Sequence, residues 1–108
     1  MADTWKVLGQ AAPSATTETD LYTVPGSTST TISSIVVCNR GSAATFRISV
    51  SAGGGATANK DYLYYDLAIP ANDTFAGTLG ITLAATDVVR VYASTANLSF
   101  SVFGVEVT

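Results

Sequence analysis

Thr45-Phe46-Arg47-Ile48-Ser49-Val50-Ser51 alternates polar and apolar residues without a break. Phe46, Ile48 and Val50 therefore share one side of an extended chain, and the polar residues share the other. Period two is the mark of a strand with one buried face. The pattern recurs towards the C-terminus. Phe75, Leu79 and Ile81 stand at even-numbered intervals within Asp73–Ile81, and Leu98, Phe100 and Val102 within Asn97–Val102. Working outward, the sequence predicts strands near 4–9, 19–24, 30–39, 44–51, 61–68, 74–82, 87–93 and 98–107. The segment Thr30–Asn39 is apolar on both faces around Ile35-Val36-Val37-Cys38, which predicts a central strand. The last strand changes phase. Leu98, Phe100 and Val102 share one face, then Phe103, Val105 and Val107 take the other, which predicts a bulge near Gly104 or a face that meets a second subunit.

Turn signals separate these runs: Pro25-Gly26, Asn39-Arg40-Gly41, Gly53-Gly54-Gly55, Pro70–Asp73, Ala84–Asp87 and Ser94–Asn97. About eight short strands at even spacing predict an all-β, single-domain antiparallel β-sandwich over 1–108, jelly-roll-like. Gln10–Thr19 is polar and of low complexity. Residues 1–19 are accordingly expected to form a first strand plus a flexible arm or loop, with 20–108 as the body. The expected core is Ile35, Val37, Phe46, Ile48, Val50, Phe75, Leu79, Val89, Val91, Phe100 and Val102.

Composition narrows the function. The chain has 108 residues, enough for one domain with a modest core. Hydrophobic residues make up 47% and charged residues 12%, which excludes a highly charged disordered chain. Net charge is −3 with five Lys and Arg in all, too few for a phosphate-neutralising patch, so no nucleic-acid partner is expected. There is no histidine, the commonest general base and metal ligand. One cysteine allows neither an internal disulfide nor a cysteine-based zinc site. No acidic run has calcium-loop spacing. The reading is of a protein that is not an enzyme, with no catalytic residue, metal, cofactor or small-molecule substrate. The opening MADTWKVLGQ has neither the basic region nor the apolar stretch of a signal peptide, and no window approaches the ~18 apolar residues of a membrane span. Synthesis in a cytoplasm and no membrane association are expected.

Few residues invite chemistry. Asp61 and Asp66 flank Tyr62-Leu63-Tyr64-Tyr65, but five residues apart on a strand they point to opposite faces. They read as turn-capping and solvated carboxylates. In that strand Tyr62 and Tyr64 share a face and Tyr65 takes the other. Such a cluster either packs in a small β-domain or makes a contact surface, for a protein before a glycan, with Lys60, Asp61 and Asp66 as its polar rim. The loop from Ala52 to Lys60 lacks phosphate-loop spacing and reads as a hairpin tip. Cys38 reads as a small core residue. Asn72-Asp73-Thr74 and Asn97-Leu98-Ser99 match a glycosylation pattern by chance in a chain this rich in Ser and Thr. Trp5 is either a core anchor or a docking residue.

Leu8-Gly9-Gln10, Asp20-Leu21-Tyr22-Thr23-Val24-Pro25 and Thr31–Gly41 (TISSIVVCNRG) carry a resemblance. Over about its first half the chain resembles a group of small β-rich virion structural proteins of tailed bacteriophages. The resemblance implies a virion component, and leaves capsid, neck and tail open. Two functions follow as expectations. The first is a capsid decoration (cement) protein, a homo-oligomer with a trimer favoured, bound to the major capsid protein or other virion structural proteins. The second is a tail, neck, baseplate or fibre component. A host-glycan-binding module that uses the tyrosines is a third. The mean hydropathy is positive, so part of the apolar surface is expected to meet another subunit. The interface candidates are Trp5, Leu8, Tyr62, Tyr64, Tyr65, Phe103 and Val105.

Overall fold

The computed structural model describes residues 2–78 and 80–108. The described residues form nine strands: β1 (Asp3–Ala11), β2 (Thr19–Thr23), β3 (Ser29–Asn39), β4 (Ala44–Ser51), β5 (Tyr62–Ile69), β6 (Thr74–Gly77), β7 (Ile81–Leu83), β8 (Val88–Ala93) and β9 (Leu98–Val107). They build two antiparallel sheets. One runs β1-β9-β3-β6, with β7 also on β3; the other runs β2-β8-β4-β5. With β6 and β7 counted as one broken strand, successive strands cross between the sheets, except for the β4–β5 hairpin within one sheet, in the order of a jelly roll.

The alternation read from the sequence is the alternation of burial as far as Ile48; beyond it Ser49 and Ser51 are buried as well and Val50 is half-buried. Phe46 and Ile48 of β4 stand opposite Ala93 and Val91 of β8, all buried. Across the sandwich they meet Ile35 and Val37 of β3 and Phe100 and Val102 of β9. Phe46 contacts rings from both layers: Tyr64 at 6.3 Å, Phe75 at 5.3 Å and Phe100 at 6.2 Å between centroids. Truncating a ring so enclosed costs about 3–5 kcal/mol. Val50 and Phe75 are half-buried against this core, and Leu79 lies outside the described residues.

At the other end Tyr22 ties the two sheets. Its hydroxyl donates to Glu106 Oε2 at 2.6 Å and lies 2.8 Å from Thr30 Oγ1. Lys6 pairs with the same carboxylate at 2.9 Å. Burial and then the Glu106 bond push the Tyr22 phenol up to about 12. The Tyr22 bond and then Lys6 hold Glu106 below the usual carboxylate range. A second tie is Asn39, whose buried amide donates to the carbonyls of Ser42 and Pro70 and accepts from the Gly41 amide.

Three expectations are corrected. β9 is regular throughout; the bulges lie in its neighbours. The register slips at Leu8 against Phe103/Val102 and at Ser33 against Phe103/Gly104. The predicted strand 74–82 is two strands, because β3 carries its bulge where β6 ends and β7 begins. One line of irregularity thus crosses the whole sheet. It also explains Gly104, where a Cβ would collide with the Thr31 carbonyl of β3. Finally, Cys38 faces outward and is half-buried, opposite Ser99 and Thr74. The expected arm or loop is confined to 12–18, since β1 pairs with β9 from Asp3 to Ala11. Pro13 is buried in that loop and the Thr16 amide donates to Ala93.

Candidate functional site

The outer face of the four-stranded sheet is built around two arginines. Arg90 of β8 lies beside Ser49 of β4, and its side chain is 13% exposed. Its Nε donates to Asp20 at 2.8 Å. Its Nη atoms donate to Ser51, to Thr57 and to the carbonyls of Gly54 and Gly55. The glycine-rich loop is thereby pinned across the sheet. Asp61 closes its far end, accepting from the Ala58 amide at 2.9 Å and from Ser51 and Lys60. These bonds, the Ala58 amide foremost, hold the Asp61 carboxyl below its usual range.

Arg47 organises the rest of that face. Its guanidinium stacks on Tyr65 of β5 and Tyr92 of β8, 4.2 Å from each ring centroid. Asp66 accepts from it at 2.7 and 3.4 Å, and this bond holds the guanidinium still more firmly protonated. Asp66 adopts φ +52° at a bulge, since residues 65 and 66 of β5 together oppose Arg47. A second bulge at Leu63 rotates Tyr62. The expected pairing of Tyr62 with Tyr64 is therefore wrong. Tyr64 turns inward against Phe46 and Phe75, while Tyr62 meets Tyr65 edge to face at 4.8 Å.

The outer face of the five-stranded sheet is different. Trp5 stands opposite Val105 and Val7 opposite Phe103. Trp5 is 77% exposed and so is no core anchor; Phe103 and Val105 are half-buried. Thr31 and Ser34 of β3 continue the face. Of the seven interface candidates, the fold brings Trp5, Phe103 and Val105 together. Tyr62 and Tyr65 form a separate cluster on the other sheet. Leu8 and Tyr64 pack against the core. Arg47 and Tyr92 were missed. Their alternation with Phe46 and Val91 places them outward, but their meeting with Tyr65 depends on strand pairing.

Asp61 and Asp66 serve a turn and an ion pair. No group of three or more His, Cys, Asp or Glu is placed to hold a metal among the described residues. An open hollow of about 440 Å³ is lined by residues 29–31, 82–84 and Asp87. Asp87 there accepts from the Gly53 and Ala84 amides, so both oxygens serve turns. No helix among the described residues is long and apolar enough to cross a membrane. Compared with protein families, curated proteins and solved structures, the chain matches none.

Proposed function

We propose that this protein is a non-enzymatic structural component of a tailed-phage virion. Within that class it is a capsid decoration (cement) protein that binds the assembled major capsid shell as a homo-oligomer. The observation that carries the assembly role is the placement of large apolar side chains on the outside of a small, tightly tied body. Trp5 and Val7 project from one edge, and Leu63, Tyr65 and Leu67 from another. Such surface is stable in water only at a cost that a partner removes. The virion setting rests on the resemblance of Asp20–Pro25 and Thr31–Gly41. Jelly rolls serve capsid and lectin domains alike, so the architecture is compatible with the reading and does not select it. A trimer fits a threefold site on a shell. Binding only the closed shell would stabilise that shell by linkage.

The glycan-binding alternative is less well supported by the tyrosines. Of its three tyrosines, Tyr64 is packed against Phe46 and Phe75, Tyr65 has one face under Arg47, and Tyr62 meets Tyr65 edge to face, so they offer no shared platform. The test is copy number in purified virions, by quantitative mass spectrometry against the major capsid protein. A ratio near one to one, or a simple fraction of it, is expected. A few to some tens of copies would move the protein to the neck, tail or fibre. Its absence from particles would overturn the virion reading.

A further inference from the structure

β1 is attached to the body differently from the other strands. It pairs with β9 along its whole length, from Asp3↔Val107 to Ala11↔Phe100. Yet none of its residues is buried, whereas each of the other eight strands has at least one that is. The main-chain ladder is therefore its chief hold, with Leu8 and Ala11 at the margin of the core and Lys6 on Glu106 at 2.9 Å. β1 is an edge: among the described residues it has β9 on one side and no strand on the other. It joins β2 through residues 12–18, and this link turns back at Ala15-Thr16 with Thr16 at φ +55°. A β-branched residue in that region is strained. A short, strained link at the edge of a fold favours exchange of the strand it holds.

We propose that copies of this chain exchange β1. Residues 3–14 leave their own β9 and fill the same place on the β9 of a second copy, with Thr16 as the hinge. The pairing within one chain identifies the occupant, because that place on β9 already fits Asp3–Ala11 residue by residue. After exchange Trp5 faces Val105, Lys6 pairs with Glu106 and Gly9 admits the Leu21 carbonyl, each across two chains instead of one. Pro13 moves with the strand and keeps its burial. No new contact is needed, no charge loses its partner, and an edge strand leaves without threading past another. The link then decides the balance. A short flexible link holds its strand at an effective concentration in the millimolar range, roughly. Strain at Thr16 lowers that figure about tenfold. Exchange is therefore expected from about 0.1 mM protein upward.

Exchange closes a homo-oligomer without any virion, so the copy-number measurement and the following one fail independently. The test sets one disulfide across the ladder. Trp5→Cys and Val105→Cys stand directly opposite and within bridging reach, in a chain that also carries Cys38→Ser. The protein is equilibrated, oxidised in a glutathione couple and run on a denaturing gel without reductant, and the link from position 5 to position 105 is identified by peptide mapping. At about 1 mM that link is expected mainly between chains, as covalent dimers or larger rings, and at about 0.01 mM mainly within one chain. Thr16→Asn accepts a left-handed backbone more readily and is expected to raise the concentration of half-exchange severalfold. Links within single chains only, at the higher concentration, would overturn the proposal. So would oligomers seen by light scattering whose links are all within chains, or a Thr16→Asn variant that shifts nothing. Thermal melting of the reduced protein checks folding; Gln10→Cys with Ser101→Cys, also directly opposite, replaces the first pair should that variant not fold.

Discussion

The two outer faces of this sandwich are finished in opposite ways. Over the four-stranded sheet, Arg90 gathers Asp20, Ser51, Thr57 and two loop carbonyls, while Arg47 stacks on two tyrosines and pairs with Asp66. Over the five-stranded sheet, β9 presents Ser99, Ser101, Phe103, Val105 and Val107, and β3 presents Thr31, Ser34, Val36 and Cys38. None of these is charged. One face is covered by the chain's own loop and its own ions. The other is a plain pleated surface edged by Trp5. A sheet of this size can be closed internally or left for another surface, and this molecule does one on each side.

The comparison can be broken most sharply at Arg90. Arg90→Ala removes three of the bonds that pin the loop, to Gly54, Gly55 and Thr57, and leaves Ser51 short of a partner. The expected loss is about 2–4 kcal/mol in urea denaturation, with new protease sensitivity between residues 52 and 58. Unchanged stability would mean that the loop needs no pin.

The tie between the sheets comes next. Tyr22→Phe leaves Glu106 with Lys6 alone and takes the Thr30 hydroxyl's partner, at an expected cost of about 1–3 kcal/mol. Its pH dependence has a defined sign. Tyr22 is raised in the folded protein to about 12, so the unfolded chain ionises first and stability falls as pH rises from about 10 to about 12. Glu106 is lowered, so its contribution is present above the ordinary carboxylate range and is lost as pH falls through its folded value. Denaturation midpoints across pH should show both limbs, and Tyr22→Phe should flatten the alkaline one.

Smaller effects separate the faces further. Arg47→Ala should cost about 1 kcal/mol, the scale of partly exposed cation–π and ion pairs, and should broaden the Tyr65 and Tyr92 ring resonances. Trp5→Ser should change monomer stability by no more than about 0.5 kcal/mol, because so exposed a ring supports nothing inside. A larger loss on thermal melting would mean that Trp5 belongs to the fold.

Strand positions were legible because each buried face needs an apolar residue at every second place. Phe46, Ile48, Phe100 and Val102 could hardly stand elsewhere. Bulges were not, because one extra residue resets the phase and looks the same as a change of face. The shift at Phe103 was visible, yet its cause lies in Leu8 and Ser33 on the flanking strands. Tyr62 was misplaced for the same reason, with two slips inside one short strand. The arginine sites were hidden by distance along the chain: Arg90 and Asp20 are 70 residues apart and meet only once β2 pairs with β8.

The position of β9 has a consequence in time. It lies between β1 and β3, so both wait for residues 98–107 before their ladders can close. At ribosomal speeds that wait is on the order of ten seconds. Pairing between such remote segments then proceeds in milliseconds to seconds. Through that interval Trp5 and Val7 stand on a strand with neither edge satisfied, so the nascent chain is vulnerable to aggregation until residues 98–107 have been made. Its first strand is among the last to find a place.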